Sequence, residues 1–106
     1  MKILNKEKAM TKNLKRYAIT ERNVLSAINH PFMVKLSYAF QTPSKLFLVM
    51  DYCPGGDLGK LISKKKCISE NDARKYICEI ILALEALHKN MIIFRDLKPD
   101  NVVLDS

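Results

Sequence analysis

The sequence predicts an α+β fold in two parts, the first built mainly of strands and the second mainly of helices. Short apolar runs of strand length recur in residues 1–50, whereas helical apolar spacing extends over most of residues 57–90. Between them, Cys53-Pro54-Gly55-Gly56 supplies the backbone freedom of a connection. We therefore expect one lobe at 1–50, a hinge at 51–56 and the start of a second lobe at 57–106.

The first part contains three strand-like segments and one helix-like segment. Strands are expected at 1–4, 34–40 and 46–50, and a helix at 14–28. The helix should end at Asn29-His30-Pro31, because a residue that precedes proline is driven out of the α region. The last of the strands is mostly apolar, and we expect it to be buried.

The second part contains a short helix and a long one. We expect the short helix to run from Asp57 to about Lys65, and the long helix to cover 69–90. Ser69 is the expected N-cap of the long helix, with Asp72 at the capping-box position. The apolar stripe of the long helix consists of Ala73, Tyr76, Ile77, Ile80, Ile81, Leu84 and Leu87.

The stretch "IIFRDLKPDNVVL" closes the chain. Its two apolar runs, 92–94 and 102–104, are expected to form buried strands. The turn between them carries five polar side chains, namely Arg95, Asp96, Lys98, Asp100 and Asn101. A surface turn needs only a Gly or an Asn. This density of ionisable and amide groups makes the turn the best candidate for a chemical site.

One acidic residue lies on an apolar stripe of the 14–28 helix. Positions 14, 18, 21, 25 and 28 are Leu, Ala, Glu, Leu and Ile. A carboxylate on a core-facing stripe is unfavourable unless a cation meets it, and Lys2 in the preceding strand is the natural candidate. Alternatively, the stripe is narrower and Glu21 faces water beside a surface Lys. Periodicity alone does not decide between the two.

The net charge of +7 raises the alternative of a nucleic-acid binder. The Lys and Arg residues are spread along the chain with one run at 64–66, and no aromatic residues are interleaved with them in a nucleic-acid motif. The apolar runs are too short to span a membrane, and the first six residues lack the apolar region of a secretory signal. We expect no nucleic-acid partner and no membrane span.

The cysteines point to a reducing compartment. Cys53, Cys67 and Cys78 form no C-x-x-C pair, and the two histidines show no zinc spacing. We interpret all three cysteines as reduced thiols that fill space. This interpretation favours a cytoplasmic location, with a nuclear location left open.

The segment "FRDLKPDN" resembles the catalytic loop of protein kinases, H-R-D-x-x-x-x-N. "MKIL" is similar to the end of the kinase strand that carries the ATP-anchoring Lys, "TERNVL" to helix αC, and "LVMDYCPGGDL" to the hinge between the lobes. The sequences of these segments most resemble those of the AGC group, which includes the cyclic-nucleotide-dependent kinases, protein kinase B and the S6 kinases. The resemblance implies a truncated protein-kinase-like fold: part of the N-lobe sheet with helix αC, the hinge, and the C-lobe through the catalytic loop.

The resemblance implies ATP- and Mg²⁺-dependent phosphoryl transfer to protein Ser or Thr hydroxyls. Asp96 would accept or orient the hydroxyl proton, and Lys98 would neutralise charge on the transferring group. Asn101 would ligate Mg²⁺ through a hard amide oxygen. The Lys-Pro pair at 98–99 is the serine/threonine form of the loop. Phe94 departs from the family, since most kinases have His there.

The resemblance also implies a set of nucleotide contacts. The residues that would hold ATP are Lys2, Glu21, Met50, Asp51, Cys53, Asp57 and Val103. Lys2, paired with Glu21, would anchor the α- and β-phosphates. Met50 would line the back of the adenine pocket, with backbone groups of Asp51 and Cys53 at the adenine edge and Val103 beneath the ring.

Two further acids match positions that AGC kinases turn toward substrate arginines, Asp57 and Asp100. They imply protein substrates with basic residues N-terminal to the phosphosite. The alternative is that Asp57 caps its helix and contacts ribose, while Asp100 is solvated.

The 106 residues contain neither a G-x-G-x-x-G loop nor a D-F-G segment. We therefore expect a central piece of a kinase domain that is inactive and poorly stable by itself. The alternative is a non-catalytic kinase-like chain that binds a partner protein through exposed apolar faces.

Overall fold

The chain forms two units, Met1–Asp51 and Tyr52–Ser106. The computed structural model describes residues 1–6, 20, 22–24 and 26–105. Strands and helices are both present, as predicted for an α+β fold. No helix in the part that the structure describes is long and apolar enough to cross a lipid bilayer.

A three-stranded antiparallel sheet organises the first unit. Its strands are β1 (Lys2–Asn5), β2 (Leu36–Gln41) and β3 (Lys45–Met50), in the order β1-β3-β2. All three predicted strands are confirmed, with bounds shifted by one or two residues. The turn between β2 and β3 closes through the Thr42 N–H, which donates to the Lys45 carbonyl at 2.8 Å.

The central position of β3 explains its apolar composition. Leu48 is fully buried, and it lies opposite Lys2 on one side and Ala39 on the other. Phe47 stacks on Phe40 across the ladder with ring centroids 4.8 Å apart. Such cross-strand pairs stabilise a sheet by roughly 0.2–1 kcal/mol each. The prediction of a buried strand is confirmed at Leu48, whereas its neighbours remain partly exposed.

The predicted 14–28 helix is described only near its end. Backbone at 20, 22–24 and 26–27 is helical, and the helix stops before Ile28, which is buried. The predicted stop ahead of Pro31 is therefore confirmed. Glu21 and the remainder of this helix lie outside the described residues, so the expected approach of Glu21 to Lys2 stays a prediction.

Two capped helices dominate the second unit. The first, α1 (Leu58–Lys65), begins where the Asp57 carboxylate accepts from the Lys60 backbone N–H at 2.8 Å. The second, α2 (Glu70–Lys89), begins where Ser69 Oγ accepts from the Asp72 N–H at 3.1 Å. Both helices and the Ser69 cap are confirmed, since each side-chain oxygen satisfies a backbone donor that the first turn leaves free.

The apolar stripe of α2 is only partly covered. Leu87 is buried, but the side chains of Ile77 and Ile81 are more than half exposed, at 55% and 57%. Leu82 beside them is also exposed. The second unit therefore presents an apolar strip along α2.

The prediction of two buried strands at 92–94 and 102–104 is wrong for the first strand, and wrong about burial for the second, where Val103 is 44% exposed. Residues 92–94 form no strand, and Ile93 is 69% exposed. Left-handed backbone at Met91 and Arg95 bounds the segment, with φ of 58° and 65°, and it interrupts any regular ladder. Val103–Leu104 is a two-residue strand, β5, that pairs with β4 (Gly56–Asp57).

The three cysteines are free, as predicted. The interpretation that they fill space is wrong for Cys67 and Cys78, whose side chains are exposed. Cys67 lies in the connection between α1 and α2, and Cys78 lies on α2 next to the exposed Ile77. Only Cys53 is half-buried.

Candidate active site

The polar turn begins with an unusual backbone conformation at Arg95. Its φ of 65° is uncommon for a residue with a side chain, and the Asp96 N–H donates back to the Phe94 carbonyl at 2.9 Å. This three-residue turn reverses the chain directly before the candidate catalytic acid. Backbone strain of this kind is concentrated at functional sites.

A short 3₁₀ helix, Pro99–Asn101, closes the turn. Pro99 suits its first position because the ring fixes φ and the missing N–H is not needed there. The Asn101 N–H donates to the Lys98 carbonyl at 2.9 Å. This bond brings the side chains of Lys98 and Asn101 back toward Asp96.

The three residues predicted to carry the chemistry come together in this turn. Asn101 Nδ2 donates to the carbonyl and to Oδ2 of Asp96, each at 2.9 Å. Lys98 Nζ lies 3.4 Å from the same Oδ2. The Asp96 carboxylate is thus held by an amide and an ammonium group, which fixes its orientation.

This carboxylate remains open to a reactant. The side chains of Asp96 and Lys98 are 55% and 50% exposed. An ion pair so exposed contributes only about 0–1 kcal/mol to stability. The grouping therefore contributes little to folding, and its exposure meets the requirement that a general base can reach the proton that it accepts.

The amide oxygen of Asn101 is an atom suited to binding a metal, because the hydrogen bonds to Asp96 use only the amide nitrogen. Such an oxygen is the kind of hard ligand that Mg²⁺ prefers. Over the described part of the chain, no group of three or more His, Cys, Asp or Glu side chains could hold a metal. The residues fit a Mg²⁺ held mainly by nucleotide phosphates, since Mg²⁺ commonly takes few protein ligands.

The segment before α1 is tied to the segment after the turn. Gly55 N–H donates to the Leu104 carbonyl at 2.9 Å, and Leu58 N–H donates to the Val102 carbonyl at 2.8 Å. Asp57 and Val103 are direct partners in the β4–β5 ladder. The structure therefore makes neighbours of two residues predicted to contact the nucleotide.

Asp57, Asp100 and Lys60 form a charged cluster beside Gly59. The sequence analysis did not identify Gly59 or Lys60 as part of a site. Lys60 Nζ lies 2.8 Å from Asp57 Oδ2. A Cβ placed on Gly59 would lie 2.5 Å from Asp100 Oδ1 and 3.3 Å from Asp57 Oδ1, so both carboxylates flank this glycine. The only signal in the sequence was the spacing of Lys60, one helical turn after Asp57.

The charges in this cluster shift one another's proton affinity. The hydrogen bond from the Lys60 side chain, followed by the bond from its backbone N–H, lowers the pKa of Asp57. The same contact with Asp57 raises the pKa of Lys60, and the charge of Asp100 adds to that shift. Both effects favour the charged forms.

Three of the predicted nucleotide residues lie in the first unit. Lys2 lies opposite Leu48 and shares its face of the sheet, and Met50 ends β3. The Asp51 N–H donates to the Lys35 carbonyl at 3.1 Å, while its carboxylate accepts from the Lys35 N–H at 3.2 Å. These contacts fix the end of β3.

The other two predicted nucleotide residues are Cys53 and Glu21. Cys53 belongs to the second unit, where its carbonyl accepts from the Gly56 N–H at 3.3 Å. Glu21 lies outside the described residues. The nucleotide roles of the whole set stay predictions.

Comparison with known proteins agrees with this geometry. The family model described as "Protein kinase domain" matches residues 1–106. A probable serine/threonine-protein kinase of Dictyostelium discoideum is 47% identical over 99% of the chain and 5% of its own length. A putative ribosomal protein S6 kinase alpha-1 of Caenorhabditis elegans is 47% identical over 100% of the chain and 13% of its own length. A RAC family serine/threonine-protein kinase homolog of D. discoideum is 46% identical over 98% of the chain and 23% of its own length.

The chain spans less than a quarter of each of these relatives, between 5% and 23% of their lengths. The S6 kinase and RAC relatives are of the AGC type, as predicted from the sequences of the hinge and the loop. The model match over all 106 residues and the geometry of the turn agree, and the chain belongs to the protein kinase domain family.

Proposed function

We propose that the chain is the central part of an ATP-dependent serine/threonine protein kinase, working within a longer polypeptide. The observation that carries the proposal is the convergence of Lys98 and Asn101 on the Asp96 carboxylate. Mg²⁺-bound ATP supplies the phosphoryl group when present. The convergence supports a site that orients a hydroxyl group, and the relatives are serine/threonine kinases.

The role of Asp96 follows from its exposure and its hydrogen bonds. Its carboxylate accepts a hydrogen bond from the substrate hydroxyl and orients the oxygen for attack. Lys98 places a positive charge beside the same carboxylate, where negative charge on the transferring group needs compensation. Asn101 holds Asp96 through its nitrogen and offers its oxygen to Mg²⁺.

The nucleotide contacts belong to the same proposal. Lys2 binds the α- and β-phosphates, and Glu21 orients Lys2. Val103, the partner of Asp57 in the β4–β5 ladder, contacts the adenine face. Ribose contact by Asp57 is the alternative to the substrate role proposed below. The remaining adenine contacts come from Met50, Asp51 and Cys53.

The proposal is tested by Asp96→Asn in the full-length protein that carries this chain. Phosphoryl transfer from radiolabelled ATP should fall by about 100-fold or more, which is the usual contribution of a general base. Asp105→Asn is the matched control, because Asp105 is a nearby exposed carboxylate outside the turn. Near-normal turnover of the Asp96→Asn variant would overturn the assignment.

We also propose that the protein substrates carry basic residues N-terminal to the phosphorylated Ser or Thr. The closeness of Asp57 and Asp100 to Gly59 supports this preference. Paired carboxylates suit a guanidinium group because it can donate two parallel hydrogen bonds. A peptide array should show enrichment of Arg or Lys before the phosphosite, and a preference for acidic or proline-directed sites would contradict the proposal.

A non-catalytic function is the second candidate. The exposed apolar strip of Ile77, Ile81 and Leu82 on α2 favours it, since strips of this kind bind partner proteins. The two candidates differ in one measurement. Transfer that depends on Asp96 supports the kinase, whereas full-length protein without any transfer activity supports the binding module.

A further inference from the structure

A lysine of the chain itself occupies one oxygen of a predicted substrate-binding acid. Lys60 Nζ lies 2.8 Å from Asp57 Oδ2. The other oxygen, Oδ1, accepts from the Lys60 backbone N–H at 2.8 Å. The two bonds differ in kind, because the backbone bond caps α1 while the side-chain bond leaves the helix cap unaffected.

The backbone bond keeps the acid in place when the side-chain bond breaks. Oδ1 is fixed by the first turn of α1, so the direction of Oδ2 does not depend on the Lys60 ammonium group. The Asp100 carboxylate lies on the same side, since Asp100 Oδ1 and Asp57 Oδ1 both lie close to the position that a Cβ on Gly59 would take. Oδ2 of Asp57 is therefore a preorganised acceptor beside a second acid.

We propose that Lys60 is an internal counter-ion that competes with the basic side chain of the substrate for Asp57 Oδ2 and thereby weakens substrate binding. This inference rests on the proposed preference for basic substrates. Lys60 acts as a specificity-determining residue through Asp57, and it takes no part in phosphoryl transfer.

The exposure of the two side chains makes the exchange feasible. The Lys60 side chain is 83% exposed, whereas the Asp57 side chain is 16% exposed. A cation so exposed leaves its partner at little free-energy cost. An incoming guanidinium can donate to Asp57 Oδ2 and, with its further N–H groups, to the nearby Asp100 carboxylate, so it competes with the Lys60 ammonium group for Oδ2.

The size of the effect follows from the fraction of open sites. A ligand's apparent affinity falls by the fraction of sites that are free to bind it. An exposed ion pair of this kind lowers the fraction of Asp57 Oδ2 sites that are free to bind substrate by a factor of about two to five. Removing the Lys60 ammonium group should therefore strengthen the binding of a basic peptide by about the same factor.

The test compares Lys60→Met with Lys64→Met in the full-length protein. Both variants remove one positive charge from α1, but only the first removes the contact with Asp57. In Lys60→Met, the KM for a peptide with Arg before its Ser should fall about two- to fivefold, with kcat unchanged. A matched peptide with Ala in place of Arg should show no change in KM with either variant.

A second readout does not depend on activity. NMR titration of the Asp57 carboxyl group should show a higher pKa in Lys60→Met than in Lys64→Met, because the side-chain hydrogen bond that lowers it is gone. A pKa change with an unchanged or higher KM would overturn the competition. An equal fall in KM in both variants would also overturn it, since that result reports net charge alone.

One outcome separates this inference from the proposed function. Suppose that wild-type protein transfers phosphate in an Asp96-dependent manner but has the same KM for the Arg and Ala peptides. The basic-substrate preference and the role of Lys60 would then both be wrong, while the kinase assignment would stand.

Discussion

Replacing Gly55 by Ala should destabilise the second unit, whereas the same change at Gly59 should not. A Cβ on Gly55 would lie 2.7 Å from the Leu104 carbonyl oxygen and 2.8 Å from the Leu104 Cβ. These atoms belong to the strand that Gly55 contacts through its own N–H, so backbone would have to move. At Gly59, the closest atom is the end of the Asp100 side chain, which can rotate away.

The magnitudes follow from these contacts. Forcing an extra methyl group into packed backbone costs about 1–3 kcal/mol, and weakening the Gly55–Leu104 hydrogen bond adds about 0.5–1.5 kcal/mol. Lower entropy of the unfolded chain offsets only about 0.4–1 kcal/mol. We expect a net loss of about 0.5–4 kcal/mol for Gly55→Ala. Gly59→Ala should be neutral or stabilise by up to about 1 kcal/mol, because Ala is the better helix former in α1.

Urea unfolding of the full-length protein that carries this chain, followed by far-UV circular dichroism, would measure both variants against the wild-type protein. Circular dichroism is suitable because this unit contains two helices. Equal midpoints for Gly55→Ala and the wild type would refute the claim that the β4–β5 pairing requires a glycine. A large loss in Gly59→Ala would show that Asp100 cannot rotate away.

Three other results are expected. Ser69→Ala should lower the free energy of unfolding by about 1 kcal/mol, because the cap of α2 is lost, and Ser69→Asp should restore most of it in the same urea titration. The stability lost in Asp57→Asn should be largest above the ordinary carboxyl pKa of 3.8 and should vanish as the pH falls through the lower folded-state pKa, because protonation removes the contact with Lys60. A difference that persists once Asp57 is protonated in the folded protein would contradict this. The 106-residue chain alone should show no ATP-dependent transfer and a broad thermal transition, since only Ile28, Leu48, Leu58 and Leu87 are buried hydrophobic residues among those described; a sharp transition in a monomer would refute that expectation.

The elements that the sequence predicted correctly are those set by neighbouring residues. The Ser69 cap and the stop ahead of Pro31 depend on local hydrogen bonding and local sterics, so both could be inferred without a structure. The order of residues in "FRDLKPDN" similarly indicated which side chains would meet, because a turn brings residues two to five positions apart together.

Contacts between distant segments could not be inferred in the same way. The 102–104 run was assigned a strand, but its partner is β4, more than forty positions earlier in the chain. The apolar character of 92–94 suggested burial, yet local left-handed backbone and the lack of a ladder leave Ile93 exposed. Apolar composition shows that a segment favours burial, but it does not show which surface will cover it.

The sequence alone determined the fold class, the helix caps and the acid at the centre of the turn, because these depend on residue identity over a few positions. Only the tertiary structure brings the carboxylates of Asp57 and Asp100 together beside Gly59 and pairs Asp57 with Lys60. Asp57 and Asp100 are separated by a whole helix pair in the chain, and no periodicity relates them. Their proximity arises only when the β4–β5 ladder joins the start of α1 to the end of the turn.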